Sequence, residues 1–78
     1  MLPFATSNDV INLWRPLNPE EIIRTDELLK VVSDSLRVEA DAVGKDLDLM
    51  AFDSLTFSNV LKSVVVDIVA RTLMTSTD

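Results

Sequence analysis

Seventy-eight residues can build one small domain, whose core is marginal and gains from a staple, a ligand or a second chain. The chain has no cysteine and no histidine, which excludes disulfides, thiol redox chemistry, the usual zinc sites and every histidine-based catalytic arrangement. Thirteen acids against seven bases leave a net charge of −6, which argues against nucleic acid and anionic membranes and towards basic protein partners.

Met1–Phe4 is too short an apolar stretch for a signal peptide, and no basic region precedes it. No run approaches the roughly 18 to 20 apolar residues of a membrane helix, so a cytoplasmic protein is the expectation. A single glycine, Gly44, and few turn residues favour an all-α domain over a sheet with many tight turns.

The chain divides into an N-terminal arm over residues 1–18 and a helical domain over residues 19–78. In the arm, Ser7 is a candidate N-cap, Asp9 suits the first turn, and Val10, Leu13 and Trp14 share one face, with Ile11 beside them. So many apolar groups on one short segment predict that Trp14 is largely buried. Pro16 stops this helix. Asn18-Pro19-Glu20-Glu21 is a helix start: a cap, a proline at the first position, then two acids near the positive end. The apolar pattern from Ile22 to Leu36 predicts either one helix over Pro19–Arg37, or a short turn and a helix from Asp26. Val38 to Asp53 reads as a loop pinned by Leu47, Leu49 and Met50, with one turn at Glu39–Val43 before Gly44 breaks it. Ser54 to about Met74 reads as a helix despite the β-branched cluster Val64-Val65-Val66, because the periodic run is too long for a strand. The tail to Asp78 is polar and expected to fray.

Asp53-Ser54-Leu55 closes the loop and opens this last helix. A serine there sits where backbone N–H groups are unpaired and favour an attached anion. The helix Glu27–Leu36, the turn Val38–Val43, the segment Asp48-Leu49-Met50-Ala51-Phe52-Asp53-Ser54-Leu55 and the apolar positions Leu55, Val60, Val64 and Ile68 together resemble the acyl and peptidyl carrier proteins. The resemblance spans about Asp26 to Ile68. It implies a carrier-like helical bundle with an extra N-terminal arm and without the later C-terminal helices. It implies phosphopantetheine on Ser54, carrying an acyl or aminoacyl thioester, with Asp53 helping a phosphopantetheinyl transferase recognise the site and Leu55 turned inward as an anchor. The implied function is a non-catalytic carrier in fatty-acid, polyketide or nonribosomal peptide assembly, with acyl- or aminoacyl-transferring enzymes as partners. The triplet occurs twice; the copy Asp34-Ser35-Leu36 lies inside a predicted helix, with Ser35 an ordinary surface residue.

Plainer readings stand beside these. Ser54 also serves as a simple N-cap. Asp46, Asp48 and Asp53 lack the spacing of a calcium loop and read as a solvated face. Glu20 and Glu21 read as helix-start charges rather than catalytic acids. Trp14 reads as packing for its own arm, or as a partner anchor. The alternative function is a dimeric helical interaction or docking module without a prosthetic group; neither reading is an enzyme. In the last helix Val60, Leu61, Val64 and Ile68 are expected to pack on the Leu28–Leu36 helix. Val65, Val66, Val69 and Leu73 then form a second, uncovered stripe, which predicts a homodimer, or pairing with another chain, through the Ser54–Met74 helix.

Overall fold

The computed structural model describes residues 1–75 and places four helices: α1 (Ser7–Leu13), α2 (Pro19–Ala42), α3 (Leu47–Asp53) and α4 (Leu55–Thr75). The fold is all-α, with no strand among the described residues. The polar tail expected to fray reaches residues 76–78, which lie outside the described residues.

Each helix begins on a side-chain cap. Thr6, one residue before the expected Ser7, caps α1, because Asp9 then falls at the third helical position. There the Asp9 N–H donates to Thr6 Oγ1 (3.2 Å) and the Thr6 N–H donates to Asp9 Oδ2 (2.8 Å). Asn18 and Glu21 form the same reciprocal pair at the head of α2, at 2.8 and 3.0 Å. Asp46 caps α3 through the Leu49 N–H, and Ser54 caps α4 through the Phe57 N–H, both at 3.1 Å. Each such cap contributes about 0.5–2 kcal/mol.

α2 is one continuous helix and runs five residues past the expected end at Arg37, because nothing from Val38 to Val43 breaks it. The turn expected at Glu39–Val43 is its last turn. Gly44 ends it at φ +76°, a left-handed conformation open to glycine. The Lys45 N–H donates to the Ala40 carbonyl (2.9 Å) and the Gly44 N–H to the Asp41 carbonyl (3.0 Å), so the last carbonyls are satisfied at the stop. The expected loop then holds a helix of its own, α3. Leu47 and Ala51, one turn apart, pack on the core, whereas Leu49 and Met50 face solvent and are not the plugs expected of them.

α4 is the centre of the molecule: α1, α2 and α3 each pack on it. Its buried face carries Leu61, Val65, Val66, Val69, Ala70 and Leu73. The expected assignment of faces is therefore reversed except at Leu61, which was expected inside and is buried. Val60 and Val64 are 56% and 42% exposed, while Val65 and Val69 are fully buried. Both stripes are apolar and helical in period, and the choice between them falls to the neighbours. α1 inserts Val10, and α2 brings the stripe Thr25, Leu29 and Ser33. Two small polar residues on that stripe keep α2 slim at its core face. Ser33 Oγ accepts the Phe4 N–H at 3.0 Å and so ties the arm across α2. Thr25 Oγ1 is buried without a hydrogen-bond partner.

The stripe expected to make a dimer interface is thus sealed inside one chain, so Val65→Lys should unfold the protein rather than release a monomer. An uncompensated charge at that position costs about 3–5 kcal/mol, and loss of the urea transition would show it. Thr25→Val replaces an unpartnered hydroxyl by a methyl of similar shape. It is expected to leave the urea midpoint unchanged or to raise stability by about 1 kcal/mol.

Candidate functional site

Ser54 joins α3 to α4 in extended geometry (φ −142°, ψ 114°), as the C-cap of the first helix and the N-cap of the second. Its side chain is half-buried and its Oγ accepts the Phe57 N–H; its carbonyl accepts from the Ser58 N–H at 2.9 Å. The hydroxyl is thus spent on opening α4. Asp53 is exposed and forms no ion pair among the described residues. Leu55 does not turn inward: it is 77% exposed. Leu47 and Ala51 of α3 already cover that side of the core, and Phe57, two residues further on, takes the inward position. The second triplet sits where the sequence placed it, with Ser35 exposed in the middle of α2.

What surrounds Ser54 is an apolar corner. Phe52 is 88% exposed, Leu55 77% and Leu49 56%, with Met50 at their edge. Leu49 and Phe52 are three residues apart on the outer side of α3, opposite Leu47 and Ala51. The sequence carried a signal for this. Two apolar pairs on a seven-residue helix cannot both face inward, and the smaller pair wins here.

The three loop acids have three different fates. Asp46 caps α3 and Asp53 stays free. Asp48 takes a two-pronged bond from Arg37, Nε to Oδ2 at 2.9 Å and Nη2 to Oδ1 at 3.0 Å. Arg37 also donates Nη1 to Asp34 (2.8 Å) and Nη2 to the Leu2 carbonyl, and its guanidinium lies 4.1 Å from the Phe4 ring centroid. One side chain thereby joins the arm, α2 and α3. Its hydrogen bonds to Asp48, then those to Asp34, hold its proton more tightly than usual against the effect of burial. An open cleft of about 340 Å³ lies beside it, lined by Met1, Val38, Asp41 and Lys45 as well as the clamp. Nothing in the sequence pattern singled out Arg37, because two of its partners, Asp48 and Leu2, lie 11 and 35 positions away.

A second clamp closes the α1–α2 corner. Arg15 bonds Glu21 at 2.8 Å and stacks 4.1 Å from the Trp14 ring centroid. Trp14, expected to be largely buried, is half-buried against the core, with the Arg15 guanidinium over one face of its ring. Glu21 is the helix-start charge expected of it; Glu20 is exposed. Among the described residues no cluster of acids could hold a metal ion, and no helix is long and apolar enough to cross a membrane.

Comparison with known proteins gives one family. The model described as phage protein Gp19/Gp15/Gp42 matches residues 13–78. No curated protein matches, and no solved structure matches. The match is to this family and not to carrier proteins, which overturns the resemblance at Asp53-Ser54-Leu55. It also overturns the carrier function in fatty-acid, polyketide or peptide assembly drawn from it. The bundle is therefore no shortened carrier. Phosphopantetheine on Ser54, and the transferase and acyl-transferring partners, rested on that resemblance and lose its support. The physical reason for the misreading is that an Asp-Ser pair before an apolar helix is equally the signature of a capped helix start, and capping is what Ser54 does.

The Arg15 bond, then the Asn18 N–H, holds the Glu21 carboxyl below its ordinary range. A carboxyl lowered on folding adds stability above the unfolded value, and that stability is lost as pH falls through the folded value. Glu21→Gln keeps an acceptor for the Asn18 N–H and removes the charge together with the second oxygen that accepts from Arg15 Nη2. It should lower the urea midpoint at neutral pH, and the gap to wild type should narrow as pH falls past the unfolded carboxyl value and close only below the lowered folded one.

Proposed function

The chain belongs to the phage protein Gp19/Gp15/Gp42 family, and from that premise we propose that it is a non-catalytic helical module that works by packing against another protein chain. The observation that carries this reading is the distribution of apolar surface. The core is filled by Val10, Leu29, Val65, Val69 and Leu73, yet large apolar side chains remain outside on one side of α4 and around its first turn. A small domain keeps such groups exposed where another surface covers them. Catalysis has little to work with: there is no cysteine or histidine, and Glu21, Asp46 and Asp48 are each held in a structural bond.

The pairing expected through the Ser54–Met74 helix is carried, on this reading, by Val60 and Val64 on the outer face of α4. They lie one turn apart, with the exposed Asp67–Arg71 ion pair (3.0 Å) beyond them. A stripe this short falls well below the roughly 800 Å² per partner of a stable interface, so the pair is weak. Each copy carries a net charge of −6, so two copies repel, and salt should strengthen their association by screening. Sedimentation equilibrium is expected to show a reversible dimer at high concentration, tighter in added salt. Val64→Lys should return it to monomer with unchanged helix content. A monomer under every condition would overturn self-pairing.

A further inference from the structure

We propose that the corner where α3 meets α4 is a docking surface for a basic amphipathic segment of an unlike protein, with Phe52 and Leu55 as its apolar anchors. The proposal rests on the reading of this chain as an interaction module and names the partner chemistry of one of its faces.

The corner is assembled, not incidental. Ser54 in extended geometry sets the end of α3 against the start of α4, which places Phe52, Leu55 and Leu49 on the outside together. These positions are fixed by the inward pair Leu47 and Ala51, so the outward side chains are held on two capped helices rather than on a free loop. An aromatic and an aliphatic group presented from a fixed backbone suit an anchor contact, since little backbone freedom is lost when they are covered.

Charge decides the occupant. From Asp46 to Leu61 the chain holds three carboxylates and no cation. Arg37 neutralises Asp48, while Asp46 and Asp53 have no ion pair among the described residues. The carbonyl end of α3 adds partial negative charge, and no basic residue stands in its last turn. The positive end of α4 at the same corner is met by its own cap, Ser54, and by Asp53. The nearest cations in sequence are Lys45, which borders Asp46, and Lys62, which reaches Asp9 at 3.8 Å. An apolar patch edged by the unpaired carboxylate of Asp53 and the carbonyl end of α3 favours apolar groups flanked by lysine or arginine. A second copy fits poorly, because a two-fold contact brings Asp53 towards Asp53.

The test uses the full ¹⁵N-labelled chain and two synthetic amphipathic helical peptides with the same leucine and phenylalanine face. One peptide carries lysine on its polar face and the other glutamate. The lysine peptide should shift amides within residues 47–57, and its affinity should fall as salt rises, opposite to the trend of self-pairing. The glutamate peptide should leave that segment unmoved. Phe52→Ser and Leu55→Ser, both at exposed positions, should each weaken the lysine peptide about tenfold with an unchanged urea midpoint. Asp53→Lys should weaken the lysine peptide and admit the glutamate one. Equal response to the two peptides, no response to either, or shifts confined to the Val60–Val64 face would overturn the corner as the docking surface. A salt-strengthened dimer surviving beside such a result would leave the interaction module standing without this site; a tight corner complex with no dimer would keep the module and this site and remove only the self-pairing through Val60 and Val64.

Discussion

The arrangement depends on covering α4. Its apolar side chains extend around more of the helix than one neighbour can shield, so Leu61, Val65, Val69 and Leu73 need partners on several sides. α2 supplies the long one, α1 inserts Val10, and α3 adds Leu47 and Ala51 near the first turns. A domain of this size has no surplus core, and each buried valine or leucine is worth roughly 1.5–3 kcal/mol. The short helices and the arm are therefore structural parts of the fold. Ala5 and Phe4 reach the same core from a segment that carries no regular structure of its own.

Two arginines convert that packing into a closed shape. Arg15 locks the α1–α2 corner by holding the acid that also caps α2. Arg37 holds the arm and α3 against the C-terminal part of α2. The Arg37 side chain is only 12% exposed, and a guanidinium that far from water is tolerated because two carboxylates, a carbonyl and an aromatic face meet it. Two-pronged contact with Asp48 adds direction as well as attraction, which lysine in its place could not match.

The sequence made some of this legible and hid the rest for identifiable reasons. Asn18-Pro19-Glu20-Glu21 announced α2 because a cap is a local device, readable from four adjacent residues. Ser54 as a cap was readable in the same way. The end of α2 was misplaced because Val38 to Val43 holds no breaker, Glu39, Ala40 and Ala42 being good helix formers, and only Gly44 stops the helix. The buried face of α4 was misassigned because Val60 and Val64 share the helical period with Val65 and Val69. Choosing between them requires knowing where Val10 and Leu29 arrive, which is long-range information. Leu55 was the more consequential case, with Phe52 beside it unassigned. Apolar residues beside a helix start are expected inside, and here they mark the outside of the corner instead.

The length of α2 sets one further property. Its 24 residues span about 36 Å at 1.5 Å per residue, which is nearly the whole 38 Å long axis of a molecule only 23 by 18 Å across. The protein is thus a short rod built around a single strut. Its rotational diffusion in water is anisotropic: end-over-end tumbling is slower than spinning about the strut. Backbone N–H vectors in α2, aligned with that axis, relax under the slow component, whereas those crossing it sense both. Orientation relative to α2 is thereby written into the relaxation rates of every amide.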